Sequence, residues 1–262
     1  MIWTTHIPRM NCWTTMMKLT DACLIVPDWP APPNVHVVQT TRMGGVSQAP
    51  YDSLNLGTHV GDNPLHVAAN RQRLSDMLPS EPIWMEQVHG TIVQDAALAS
   101  CVPQADAAVA RHVDTVCTVM TADCLPVLLC DQAGTVVAAA HAGWRGLSQG
   151  VIERTVEAMH TPAENLLAWL GPAIGRDAFE VGDDVYQIFV NHDAQAAAAF
   201  AATENGKWLA DIYLLARQRL AALGVTRVYG GEYCTFHDGS RFFSYRRDGA
   251  CGRMASMIWL GR

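Results

Sequence analysis

The chain has 262 residues, half of them apolar, and its 25 acidic against 18 basic side chains give a net charge of −7. That length suits a single large domain with a substantial core. The acidic balance leaves no broad basic face for nucleic acid and no attraction to anionic membranes, and no apolar run approaches the roughly 18 residues of a membrane span.

Residues 1–17 are rich in Thr, Met and Trp and lack the basic start and continuous apolar stretch of a secretory signal. They read as a poorly ordered extension, with one catalytic domain over residues 18–262. Eight cysteines are scattered without a repeating spacing and without a CxxC pair. Such cysteines fit buried thiols in a reducing cytoplasm better than a disulfide framework or a four-thiolate zinc.

In chain order, residues 28–34 are too proline-rich for a helix. Residues 35–41 alternate as a strand and end at Arg42-Met43-Gly44-Gly45, where a guanidinium and glycine amides could meet an anion. Asp62 or Asn63 caps a helix to about residue 77 with Val67, Leu74 and Leu78 inward, leaving Arg71 and Arg73 to water. Residues 83–90, 105–110 and 115–120 read as strands, the first closing on His89-Gly90.

Two apolar runs, 121–130 and 136–142, flank Asp131-Gln132-Ala133-Gly134, a hairpin loop by composition. Pairing Cys130 with Thr135 sets Cys124 directly opposite His141, which suits two ligands of one metal or a thiol beside its base. A helical stripe follows over 147–159, a buried strand over 166–170, and helices over 183–190, 194–202 and 209–223, the last closed by Gly224. Strands at 225–229, 241–245 and 253–260 complete the chain. The irregular mixing of strands and helices indicates an α+β fold with mixed or antiparallel sheets.

His89, Cys124 and His141 form a candidate ligand set of two imidazoles and a thiolate, as in a catalytic zinc site with one open position. The same residues without metal would make a cysteine hydrolase, with Cys124 as nucleophile and His141 as base. Spacings of 34 and 16 intervening residues match no local metal motif. A second cluster, Tyr245-Arg246-Arg247 through Arg253, reads as an anion or aromatic-ligand clamp, and Trp144-Arg145 adds a stacking surface and a guanidinium.

Several segments carry a wider pattern: Thr40-Thr41-Arg42 with Gly44-Gly45-Val46-Ser47, Asn55-Leu56-Gly57 with His59-Val60-Gly61-Asp62, Gln87-Val88-His89-Gly90 and Ala122-Asp123-Cys124-Leu125-Pro126. His141-Ala142-Gly143-Trp144-Arg145-Gly146, Gly171-Pro172-Ala173-Ile174-Gly175 and Phe242-Phe243-Ser244-Tyr245-Arg246-Arg247-Asp248-Gly249 continue it. Together they resemble the YfiH-like family, also called laccase-domain, multicopper polyphenol oxidase-like or peptidoglycan editing factor proteins. The resemblance spans nearly everything from Lys18 onward. Where that family usually has Thr-Gly-Arg near its C-terminus, this chain has Cys251-Gly252-Arg253.

The resemblance implies a four-layer α-β-β-α sandwich and a zinc held by His89, Cys124 and His141. It also implies phosphorolysis of adenosine, inosine and methylthioadenosine, with adenosine deamination at the same centre. The partners are then purine nucleosides and phosphate. We assign substrate and phosphate contacts to Arg42, Arg145, Arg246, Arg253 and Tyr245, and consider Glu86 as a proton carrier. The alternatives are a copper polyphenol oxidase, with copper in place of zinc, a hydrolase editing peptidoglycan precursors, and a non-catalytic nucleoside-binding module. The ten histidines include no His-x-His pair, which speaks against a multicopper centre.

Overall fold

Residues 19–20, 23–99 and 102–262 are described by the computed structural model; the extension expected over 1–17 lies outside them. The chain opens with β1 (Leu24–Ile25) and β2 (Val35–Thr40), then α1 (Pro64–Ser75), whose N-terminus is capped by Asn63 accepting from the Leu65 amide. Next come β3 (Val93–Asp95), β4 (Ala107–Ala110), β5 (Cys117–Thr121), β6 (Leu125–Asp131) and β7 (Val137–Ala142). Helices α2 (Trp144–Gln149) and α3 (Val151–Ala158) precede β8 (Leu166–Leu170), β9 (Glu180–Val181) and α4 (Asp183–His192). The chain ends with β10 (Phe200–Ala202), β11 (Trp208–Ala210), α5 (Ile212–Ala222), β12 (Arg227–Gly230), α6 (Tyr245–Asp248) and β13 (Met254–Leu260).

Strands β4, β6, β7 and β8 are apolar along almost their whole length, and each is buried on both faces. They form the centre of a six-stranded sheet in the order β12-β8-β6-β7-β4-β3, mixed because β12 pairs parallel to β8 and β3 parallel to β4. A four-stranded antiparallel sheet, β1-β2-β13-β5, packs against it. Val119 and Ile258 of the smaller sheet meet Leu128, Cys130 and Trp169 of the larger one. Helices α2, α3 and α5 cover the outer face of the large sheet, and Leu74 of α1 joins Trp84, Met257 and Trp259 on the outer face of the small one. The layers are therefore α-β-β-α, as expected. Each fully buried Leu or Ile contributes about 1.5–3 kcal/mol of apolar transfer to this stack.

The β6–β7 hairpin forms, with its register displaced by two residues. Cys130 pairs with Val137 and Pro126 with His141. The cause is Asp131, whose carboxylate accepts the amides of Thr135 and Val136 and the Thr135 hydroxyl at 2.7, 3.0 and 2.6 Å. This moves the turn one residue along the chain, to Gln132–Thr135. A two-residue displacement preserves the face of every side chain, so Cys124, just ahead of β6, and His141 stay on the same side as diagonal rather than direct neighbours.

Other local expectations are corrected. Residues 83–90 make only isolated bridges, Ile83 to Cys117 and Glu86 to Gln104. Residues 241–245 form no strand, because Ser244 caps the short helix α6 by accepting from the Arg247 amide. Gly150, at φ 98°, divides the helix expected over 147–159. Of residues 194–202, the first six form a 3-10 turn and the rest β10. Trp208–Ala210 is strand β11, and α5 starts only after the Asp211 cap. Arg71 and Arg73 are not solvated side chains: Arg71 lies 3.9 Å from the Trp84 ring and donates to the Leu56 carbonyl, and Arg73 donates to the Gly44 carbonyl. Among the described residues no helix is long and apolar enough to cross a membrane.

Candidate metal centre and active-site cavity

The chain leaves the small sheet at the end of β5 and enters the large one at β6, and Ala122–Asp123–Cys124 is the crossing point. His141 lies near the end of β7, beside that crossing, and is 3% exposed. His89 arrives on the loop before β3. The ligand atoms of His89, Cys124 and His141 lie within 4.8 Å of one another, and the group could hold a metal ion. Cys124 Sγ is 3.7 Å from His89 Nε2, and the two imidazoles meet edge to face at 4.7 Å between centroids.

Asp106, just before β4 and fully buried, organises this group. Its carboxylate accepts the backbone amides of Val88, His89 and Gly90 at 3.2, 2.9 and 2.7 Å. Those three bonds hold His89 at φ 61°, a conformation that a non-glycine residue adopts only when its surroundings impose it. The same carboxylate accepts from His141 Nδ1 at 2.8 Å, leaving Nε2 as the nitrogen available to a metal. Burial alone would raise the Asp106 pKa, but the hydrogen bonds from His141 and from the Gly90 and Val88 amides, with the His141 charge, hold it below its ordinary value.

Burial also opposes ionisation of Cys124 and His141, and their mutual attraction overcomes it. The His141 charge and hydrogen bonds from both imidazoles draw the Cys124 thiol down to about 6, while the adjacent thiolate and Asp106 raise His141 to about 9. A thiol ready to lose its proton, beside one imidazole fixed by a carboxylate, fits a thiolate-preferring divalent ion. Two close approaches depend on glycine. A Cβ on Gly143 would stand 2.9 Å from Cys124 Sγ and 3.0 Å from His89 Cδ2, and one on Gly146 would stand 2.9 Å from the Gly90 carbonyl.

The three residues open into a cavity of about 480 Å³ that is also lined by His59, Arg145, Tyr245 and Arg253. A smaller, more apolar recess of about 130 Å³ shares Cys124, Trp144 and Tyr245 with it, and adds Ile174, Phe179, Ile212 and Arg246. Arg145 lies 4.5 Å from the Trp144 ring. Arg246 donates to the carbonyls of Ala178 and Glu180. Of the residues expected to touch substrate, four therefore border these two spaces.

Arg42 does not border them. Its guanidinium donates to the carbonyls of Asp52 and Gly239, pairs with the Asp52 carboxylate at 3.3 Å and lies 4.8 Å from the Phe243 ring. It pins the 42–53 loop to the C-terminal region. Glu86 is exposed and lies outside both spaces.

Sequence reasoning did not single out Asp106, Gln87, His59 or the structural part of Asp123. Gln87 clamps Met120 by donating to its carbonyl at 2.8 Å and accepting its amide at 2.7 Å, fastening the His89 loop to β5. Asp123, at φ 85°, accepts the Thr235 hydroxyl at 2.6 Å and the Arg246 amide at 2.7 Å. It thus ties the C-terminal segment to the crossing point.

Residues 36–261 match the sequence profile of the family described as multi-copper polyphenol oxidoreductase laccase. A relative from Escherichia coli (strain K12), purine nucleoside phosphorylase YfiH, is 57% identical over 240 residues, covering 90% of this chain and 98% of its own. This chain belongs to the YfiH-like, laccase-domain family. A second relative, purine nucleoside phosphorylase PA4543 of Pseudomonas aeruginosa, is 54% identical over 252 residues, covering 96% and 99%. Among solved structures, Neisseria meningitidis protein NMB0706 superposes with a TM-score of 0.89 at 54% identity, over 92% of this chain and all of that one. YlmD from Geobacillus stearothermophilus does so with 0.85 at 28% identity, over 94% and 99%. The YfiH-like architecture thus extends over the sheets and the loops that carry His89, Cys124 and His141.

Proposed function

We propose that this protein is a zinc-dependent purine nucleoside phosphorylase, converting adenosine, inosine or methylthioadenosine and phosphate to the free base and a ribose 1-phosphate, and that it deaminates adenosine at the same centre. The carrying observation is the convergence of His89, Cys124 and His141 at the wall of a cavity large enough for a nucleoside. Relatives named purine nucleoside phosphorylases align with nearly the whole chain, which supports this reading. Residence in the cytoplasm follows as part of the proposal, since nucleosides and free phosphate meet there.

His89, Cys124 and His141 would hold the zinc, which when bound supplies Lewis-acid polarisation at neutral pH. The residues of the chain do the rest. Trp144 and Tyr245 present aromatic faces to a purine, and the apolar recess of Ile174, Phe179 and Ile212 keeps water from it. The guanidinium groups of Arg145 and Arg253 lend positive charge to an otherwise acidic protein, and there they would orient phosphate for attack at the ribose and neutralise its charge.

A copper oxidase is the second reading, favoured by the description of the matching family, and two imidazoles with one thiolate are also a blue-copper ligand set. Elemental analysis of protein purified without added metal, with inosine turnover followed with and without phosphate, separates the two. Zinc content and phosphate-dependent hypoxanthine release that disappears in Cys124→Ala support the phosphorylase. Turnover of phenols that requires copper loading, with no base released from inosine, overturns it.

A further inference from the structure

Two arginines line the cavity, and they differ in setting: Arg145 is exposed and lies 4.5 Å from the Trp144 ring. Elsewhere in the chain, Arg154, Arg219, Arg241 and Arg247 each have a carboxylate within 3.0 Å. Arg253 is half-buried at the cavity wall and pairs with no carboxylate among the described residues. Only its Nη1 makes hydrogen bonds there, to the Cys251 and Gly252 carbonyls, with a longer contact to Cys251 Sγ. Those bonds and its stem fix the side chain in place, for a Cβ on Gly57 would meet Arg253 Cγ at 2.8 Å. A positioned, partly buried and unneutralised guanidinium edge in a protein of net charge −7 favours an anionic ligand.

His59 also lines this cavity and makes no hydrogen bond among the described residues. Burial, then the charges of Arg253 and Arg71, lower its pKa, which favours the neutral imidazole with its one N–H donor. Arg71 is itself held behind the wall, over Trp84 and against the Leu56 carbonyl. Arg246 sits apart: it lines the apolar recess and not this cavity, and its Nη1 likewise donates to two carbonyls.

We propose that His59 and Arg253 form the orthophosphate subsite of this cavity, with Arg71 supplying its background field, and that Arg246 belongs to the base side. This rests on the phosphorylase reading for the identity of the anion. Arg253 supplies a guanidinium edge of two N–H groups matched to a phosphate oxygen pair, and His59 supplies a third donor.

The test is orthophosphate binding to the purified metal-bound protein by calorimetry, with inosine binding in the absence of phosphate measured alongside and folding checked by thermal melting. His59→Ala and Arg253→Gln should each weaken phosphate binding tenfold or more while changing inosine affinity less than twofold. Arg253→Lys, which keeps the stem against Gly57, should lose less, and Arg176→Gln, a charge control on a different surface, should lose nothing. Unchanged phosphate affinity in folded His59→Ala and Arg253→Gln proteins, or an equal loss for inosine, overturns the subsite. If the wild type binds phosphate through these residues yet releases no base from inosine, the phosphorylase reading fails and the subsite stands. If it turns over inosine while the variants keep their phosphate KM, the reverse holds.

Discussion

Asp106 receives the His141 Nδ1–H at 2.8 Å with a fully buried carboxylate, and neither group faces open solvent. One carboxylate thereby fixes one imidazole directly and places the other through three backbone amides. The geometry of the candidate metal centre therefore depends on a residue that does not belong to it.

Asp106→Asn tests that dependence. An amide must turn its NH2 group toward some of the four donors that the carboxylate satisfies, so at least one N–H is left unpaired in a dry site, at a cost of about 1–3 kcal/mol. Metal affinity should fall roughly 10–100-fold, as for other partners of metal-bound histidines, read by competition with a chromophoric chelator. The pH dependence has a defined sign. The folded carboxylate titrates below its ordinary value, so its contribution is present above the unfolded pKa of about 4 and is lost as pH falls through the lower folded value. The difference in melting temperature between wild type and Asp106→Asn, measured without metal, should shrink on acidification from pH 5 to pH 3. A constant difference contradicts an ionised, stabilising Asp106.

Gly143→Ala addresses the same site by sterics alone. The backbone there has φ −59°, which alanine adopts freely, so the added methyl acts only through its contacts with Cys124 Sγ and His89 Cδ2. The expected outcome is a folded protein, within about 1 kcal/mol of wild type by urea unfolding, whose metal affinity is reduced about tenfold or more. Retained affinity would mean that the cluster accommodates the methyl by moving.

The sequence made the strands legible where burial dictated composition: Leu166–Leu170 is apolar throughout and appears as the strand expected. The hairpin's two-residue offset was hidden because it comes from one side chain, Asp131, bonding three donors of its own turn, which no alternation of polarity encodes. Residues 83–90 looked like a strand by composition, yet Gln87 and Asp106 take the place of a ladder. Asp106 did leave a signal: an acid flanked by Ala105 and the run 107–110 cannot stay charged in a core without partners. His59 stands within the His59-Val60-Gly61-Asp62 pattern, but its setting beside the charges of Arg253 and Arg71 exists only after folding.

The electrostatics of Cys124 predict thiol reactivity. In metal-stripped protein at pH 7 its thiol, drawn down to about 6, is mostly thiolate. Cys117 and Cys130 are fully buried with raised pKa values, Cys130 to about 12. Iodoacetamide followed by peptide mass spectrometry should therefore modify Cys124 ahead of those two. The rate should rise with pH through about 6 and level off above it, and added zinc should suppress it. A rate still climbing near pH 8.5, as for an ordinary thiol, would contradict the pairing with His141.

Asp123 supports the opposite wall of the cavity. The residue is 9% exposed, and its carboxylate holds both Thr235 and the Arg246 backbone. Tyr245 and Arg246 therefore take their place from a residue adjacent to Cys124. Thr235→Val removes one of the two bonds and leaves one carboxylate oxygen without its partner, which should cost about 1–3 kcal/mol by urea unfolding. Asp123→Ala removes both acceptors, leaving the Arg246 amide unpaired, and places alanine at φ 85° at a further cost of about 1 kcal/mol. Because the carboxylate is not among the clustered ligands, metal content should remain near that of wild type while KM for inosine rises about tenfold. Loss of metal together with nucleoside binding would instead show that the crossing segment holds Cys124 through Asp123, making the two walls one unit.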